Sequence, residues 1–302
     1  MSNYRDNAWA PVGLDLFGAT SIDEALKMAE LDWEVNRKPV QVCGGAKIPN
    51  TFANVRSDNG KVLGIVKDKY KIVQNRDAFE FVNNLIPEGV EFEKGGVFHM
   101  GTSAWVEAKF PTTYNILGDD VECHAVFINS HDGKGSVKVC ILPTRLFCSN
   151  QLNFYSKKAD RKWSAVHSSK VDGRLEEAQY TLGLSDKYMK ALEQDAESMA
   201  MKKLSADAFA NILDTIYEVK EDASNRIKEN AKFTKQGILA CLDAPDVANF
   251  KGTAWGAALA VTDFVDHHDP LRNTSNYAEA RFEKIASGHP DVDRVIEAIR
   301  VA

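Results

Sequence analysis

The chain has 302 residues, of which 44% are hydrophobic and 26% charged, and its formal net charge is −6. That composition suits a globular protein with one large core or two modest ones. It excludes a membrane-spanning chain, because no run nears the roughly 18 apolar residues of a membrane helix. It also excludes a histone-like coat, while leaving room for one local basic groove on an acidic body. The opening residues, MSNYRDNAWAPVGLDLF, lack the charged and apolar regions of a secretory signal, so a cytoplasmic location is expected. Five cysteines, at positions 43, 123, 140, 148 and 241, include no CxxC pair. Neither a disulfide framework nor a zinc ribbon is supported, and no metal site or cofactor is expected.

Along the chain, Ser21 followed by Glu24, Leu26 and Ala29 predicts a capped helix. From Trp33 to Leu152, short β-branched and aromatic runs separated by turns predict five to seven strands. Asp58-Asn59-Gly60 and Asp132-Gly133 carry tight-hairpin chemistry. Between those hairpins, Asn75 to Ile86 has helical spacing and ends at Pro87. From about Arg174 the texture changes to long Ala-, Leu-, Glu- and Lys-rich windows. Helices are predicted at 174–201, 205–219, 222–241, 254–267 and 276–300, the last interrupted at Pro290. The expected fold is α+β: an antiparallel sheet with packed helices, then a mainly helical C-terminal half, divided as residues 1–172 and 173–302.

The densest chemical signal lies between Lys134 and Arg174, where nine basic residues face two acids, Asp160 and Asp172. That stretch is +7, which leaves −13 for the remainder of the chain. Phe147, Phe154, Tyr155 and Trp163 are interleaved with the cations, a pattern suited to tracking a phosphate backbone while stacking unpaired bases. The residues expected to bind nucleic acid are Lys138, Arg145, Tyr155, Lys157, Lys158, Arg161, Lys162, Trp163 and Lys170. In this reading Lys157, Lys158, Arg161 and Lys162 meet phosphates, Lys138 and Arg145 line the groove, and Tyr155 or Trp163 stacks on bases. The same residues also fit a solvated loop whose aromatics belong to the core.

Two other motifs carry ionisable groups. In Asn129-Ser130-His131-Asp132-Gly133, His131 and Asp132 read either as an acid/base or metal pair or as an Asx-type turn. Asp266-His267-His268-Asp269 reads either as a partial ligand set or as a hydrogen-bonded helix end before Pro270. There is no GxSxG elbow, no GxxxxGK[ST] and no strand–GxGxxG–helix unit, so no catalytic residue is assigned and neither ATP nor NAD is expected.

At Asn129–Gly133, at PTRLFCSNQL (143–152), and at GTAWG followed by DHHDPLR (252–272), the chain resembles a phage/plasmid-like family of unknown function. The resemblance implies a mobile-element origin and action in a bacterial cytoplasm, and it supplies no catalytic residues. The element order is also loosely similar to phage single-strand annealing recombinases, a likeness of fold alone.

The leading expectation is a non-enzymatic, homo-oligomeric protein that binds single-stranded DNA and acts in annealing, recombination or replication. The alternative is a phage-encoded protein that binds a host protein and blocks a defence or regulatory system, its acidic surface serving DNA mimicry or charge-steered docking; a phage or host protein is then the partner. A third reading is a metal-dependent nuclease using His131, Asp132, Asp266 and His268.

Overall fold

The computed structural model describes residues 12–146, 151–152, 160–168, 170–171, 185–268, 270–271 and 276–302. Strand β1 (Leu14–Asp15) and helix α1 (Ile22–Met28) precede β2 (Val35–Gln41), β3 (Lys47–Arg56) and β4 (Val62–Lys67). Helix α2 (Asn75–Phe79) leads through 3-10 turns to β5 (Glu91–Phe98), β6 (Ser103–Ile116), β7 (Asp119–Ser130), β8 (Val137–Arg145) and β9 (Lys162–Ala165). The helical half holds α3 (Ser185–Met201), α4 (Ala206–Ile216), α5 (Asn225–Ala240), α6 (Ala254–His267), α7 (Tyr277–Ser287) and α8 (Pro290–Val301). The expected α+β class is the observed one.

Local chemistry explains many of the boundaries. Ser21 Oγ caps α1 by accepting from Glu24 N, while the Glu24 carboxylate reaches back to Thr20 N. Ser205 and Thr253 cap α4 and α6 in the same way. Pro290 stands in the first turn of α8, where its missing N–H costs nothing, so it starts a helix instead of breaking one. Helical spacing after Asn75 yields only a short α-helix followed by the 3-10 turn Glu80–Asn84.

Two antiparallel sheets result. The larger has the order β1-β5-β6-β7-β8-β9, and the smaller has the order β2-β3-β4. Alternation along β7 places Val121, Cys123, Ala125 and Phe127 on one face and His124, Val126 and Ile128 on the other. The first face joins a core that runs from α1 through the sheet to Tyr188 and Leu192 of α3, Trp255 of α6 and Val295 of α8. Apolar packing thus crosses the change in texture near residue 172. On the second face, Trp105, Val126, Ile128 and Leu142 pack against Phe282 and Ile285 of α7.

A buried ion pair ties the sheet to the helical half. Arg145, at the end of β8, donates to Asp119 Oδ2 at 2.7 Å and to the side chain and carbonyl of Asp246 at 3.2 and 2.9 Å. The Arg145 side chain is 2% exposed and that of Asp246 0%, so solvent cannot take the place of a missing partner. Removing one member of such a pair leaves an uncompensated buried charge. Arg145→Ala is therefore expected to lower unfolding stability by about 3–5 kcal/mol in urea denaturation. A residue serving only a solvated surface would change it by about 0.5 kcal/mol or less.

Candidate nucleic-acid interface

The strands divide the Lys134–Arg174 stretch among different surroundings. Arg145 is committed to Asp119 and Asp246, which corrects its expected place in a groove. Arg161 is corrected likewise: it is 5% exposed, and its guanidinium donates to the carbonyls of Ile141 and Ala286. Both cations sit where the sheet meets helices, and each finds its acceptors there. Lys162 is exposed on β9 and lies on the same sheet face as Lys138, since Lys138 pairs with Ser164 and Cys140 with Lys162. Trp163, between them, faces the opposite way and packs against the main core. Lys170 is exposed in the turn closed by Val171 N and Ser168 O. Tyr155, Lys157 and Lys158 lie outside the described residues.

A second basic stretch, which the sequence pattern did not single out, occupies the small sheet. Between Arg37 and Lys71 there are eight basic residues and two acids, Asp58 and Asp68. Strands β2 and β3 form a hairpin with Lys38, Val42, Lys47 and Ile48 exposed. The Arg37 guanidinium lies 4.1 Å from the Phe52 ring centroid and donates to Lys67 O, while Lys67 Nζ donates to Thr51 Oγ1 at 2.9 Å. These interactions fix the aliphatic stems of Arg37 and Lys67, while Lys38 and Lys47 stay exposed.

Where this sheet returns to the body there is a cleft of about 670 Å³, lined by Arg37, Asp68, Lys69, Tyr70, Lys71, Ile72 and Ser168. Lys71 N donates to His167 O, and His167 Nδ1 donates to Lys71 O, both at 3.2 Å. The Tyr70 and His167 rings stack with centroids 4.8 Å apart and planes 17° from parallel. Tyr70 OH donates to Ser130 O at 3.1 Å, and burial pushes the phenol above its ordinary range. The cleft therefore joins cations to an aromatic ring that is held from behind. It also brings Ser168, two residues before Lys170, beside cations more than 90 positions earlier in the chain.

The two ionisable motifs serve other ends. Asp132 Oδ1 accepts from Ser130 Oγ, Lys134 N and Gly135 N at 2.9, 2.8 and 2.7 Å, closing an Asx-type turn. His131 points into the protein: its Nε2 lies 2.8 Å from Asn75 Oδ1 and 3.3 Å from Asn129 Nδ2, and its ring stands edge-on to Trp33. At the other motif, Asp266 Oδ2 accepts from Gln151 N at 2.6 Å. His268 Nε2 lies 3.4 Å from Cys241 Sγ. Arg281 closes this helix end by donating to the carbonyls of Asp266 and His268. The side chains of His131, Asp132, Asp266 and His268 thus each have partners of their own. Among the described residues, ligand-bearing side chains of three or more residues converge instead at Cys241–Asp263–His268 and at Glu93–Glu107–His124.

The fold defines an α+β protein in which a basic three-stranded sheet is mounted on a larger buried sheet. Residues 62–286 match the family model described as a domain of unknown function, DUF932, and the chain belongs to that family. No curated protein and no solved structure matches it. The match opens at the first residue of β4. It includes Lys69, Tyr70, Lys71 and Lys170, while the β2–β3 hairpin precedes it. No helix among the described residues is long and apolar enough to cross a membrane.

Burial, then the neighbouring charge of His167, pushes the pKa of His131 down to about 3. With the folded value below the unfolded one of about 6.5, the unfolded chain takes up the proton first as pH falls. Stability tied to His131 is therefore complete above about pH 6.5 and is lost progressively toward pH 3. The urea midpoint of the wild-type protein is expected to drop across this window, and His131→Gln is expected to show a shallower drop. An equal pH slope in the two proteins would contradict the buried neutral imidazole.

Proposed function

We propose that this protein binds single-stranded nucleic acid in the cleft between the small sheet and the 166–171 segment, without a cofactor, as a non-enzymatic strand-handling protein. The observation that carries the reading is the meeting of Arg37, Lys69 and Lys71 around a backed Tyr70 ring, with Lys170 two residues beyond the cleft-lining Ser168. Lys69 and Lys170 have no carboxylate partner among the described residues, so their charge is available to phosphates. Backbone attraction is independent of sequence, whereas an accessible ring face rewards unstacked bases that a duplex conceals. Together these favour a single strand over a duplex.

A protein of this kind, acting in a bacterial cytoplasm on phage or plasmid DNA, would serve annealing, recombination or replication. Annealing requires two strands presented with their bases exposed, and a homo-oligomer supplies several such clefts. The exposed Val42 and Ile48 at the end of the β2–β3 hairpin offer apolar area for association between copies.

The test is fluorescence anisotropy with a labelled oligonucleotide of about 40 nucleotides, single- and double-stranded, over a salt series. The single strand is expected to bind more tightly, with log K falling linearly as log salt rises. Arg37→Ala, Lys69→Ala, Lys71→Ala and Lys170→Ala combined should reduce that slope by about 2–3, at roughly 0.7 for each single-strand phosphate no longer neutralised. An unchanged slope in the combined variant would remove the cleft from the interface. The pair Lys138→Ala and Lys162→Ala is the control for the other basic surface and is expected to alter the slope little.

A further inference from the structure

On the sheet face that carries Trp105 and Val126, a cluster of charged side chains lies beyond the apolar packing against α7. His124 stands opposite Lys109 in the β6–β7 register, with Glu107 two residues before Lys109 and Glu122 two before His124. Period-two alternation puts all four on one face. Glu93 joins them through a β-bulge: the β5–β6 register shifts between Phe92 and Lys94, which makes Glu93 the extra residue and re-aims its side chain.

The geometry is directional. His124 Nδ1 lies 3.1 Å from Glu93 Oε2 and 3.4 Å from Glu107 Oε1, while Nε2 lies 3.5 Å from Glu122 Oε2. Lys109 Nζ stands 3.6 Å from Glu122 and 3.9 Å from Glu93. His124 is 5% exposed, and neither of its ring nitrogens makes a well-aligned hydrogen bond. The Glu93 and Glu122 side chains are 33% and 24% exposed, which leaves a way in from solvent to the buried ring.

We propose that Glu93, Glu107 and His124 Nδ1 bind a divalent first-row transition-metal ion, such as Zn2+, Mn2+ or Fe2+, and that Glu122 orients the imidazole by accepting its Nε2–H. Ligands about 2.1 Å from an ion stand roughly 3.0–3.4 Å from one another, close to the spacing of Nδ1 from the two carboxylates. A carboxylate on the far ring nitrogen is the usual support of a ligating histidine, because it fixes both tautomer and ring plane. One nitrogen with two carboxylate oxygens suits a first-row transition-metal ion better than Mg2+ or Ca2+, which favour oxygen alone. Charge favours occupancy as well. The three carboxylates, Lys109 and a neutral His124 sum to −2, which a divalent ion cancels, whereas a proton on the ring leaves −1. This site is independent of the nucleic-acid reading, and either can fail alone.

The experiment starts from chelator-stripped full-length protein titrated with Zn2+ and with Mn2+ by calorimetry, with circular dichroism to verify each variant's fold. One ion per chain is expected. Glu107→Gln is expected to weaken binding by more than about 100-fold, and Glu122→Gln by roughly 10–100-fold as an outer partner. In the wild-type protein, stoichiometric Mn2+ should broaden the His124 ring resonances first, a readout that needs no substitution. Absence of stoichiometric binding would overturn the proposal. So would equal affinity in folded Glu107→Gln, or broadening centred on His268, which would place the ion at Cys241–Asp263–His268.

Discussion

A sheet buried on both faces tolerates a charged or polar side chain only where an opposite charge or a hydrogen-bonding group meets it. The six-stranded sheet of this protein obeys that constraint at several points. Arg145 meets Asp119 and Asp246, and Arg161 meets two carbonyl oxygens. His131 meets Asn75 and Asn129, and His124 meets three carboxylates. Each arrangement joins elements far apart in sequence, so the polar pairs fix how helices dock on strands as the apolar core supplies the driving force. The same constraint separates candidate ligands. A cation satisfied inside the protein is unavailable to a phosphate, however basic its neighbourhood in sequence.

This is why the Lys134–Arg174 stretch reads differently in one dimension and in three. Its charge density suggests a continuous groove, but strand alternation sends Lys138 and Lys162 to one face and Trp163 to the other, while Arg145 and Arg161 are consumed by packing. Local sequence carries no sign that Asp246, 101 residues away, awaits Arg145. What was legible was local. The cap at Ser21, the turns at Asp58-Asn59-Gly60 and Asp132-Gly133, and the helix from Ala254 to His267 each follow from side chains within one turn of the boundary. The α+β class was legible for the same reason, being a sum of local signals. The run from Arg37 to Lys71 also had a readable signal in its eight bases and two acids. It was diluted by length and by having few aromatics among its cations. The Glu93–Glu107–His124 cluster was not legible, since a bulge and the pairing of three strands bring it together.

The basic cleft and the carboxylate–histidine cluster lie on opposite sides of the larger sheet. Asn129 faces the α2 side, where its amide bonds to Val73 and Asn75 on the chain that leaves the cleft. His124, five residues earlier on β7, faces away from it. Strand β7 thus carries the support for the cleft at one end and the cluster toward the other. The cluster therefore has a paired strand beneath it, whereas the cleft takes its shape from the turn residues 68–72 and Ser168 anchored to the end of that strand.

Under the proposed function, charge placement makes the basic three-stranded sheet more selective than its composition suggests. The stretch from Arg37 to Lys71 is +6 within a chain of −6, so the rest of the protein is −12. An acidic body repels a phosphate backbone over about one Debye length, roughly 8–10 Å at physiological salt, while that sheet and its cleft attract it. In the function proposed, a strand is thereby steered toward one surface instead of adhering everywhere, and base stacking on Tyr70 acts only after that steering has brought it close. Loss of charge at the cleft should accordingly affect encounter more than departure, whereas loss of the ring should do the reverse. That asymmetry is the kinetic signature of an interface that divides attraction and recognition between different side chains.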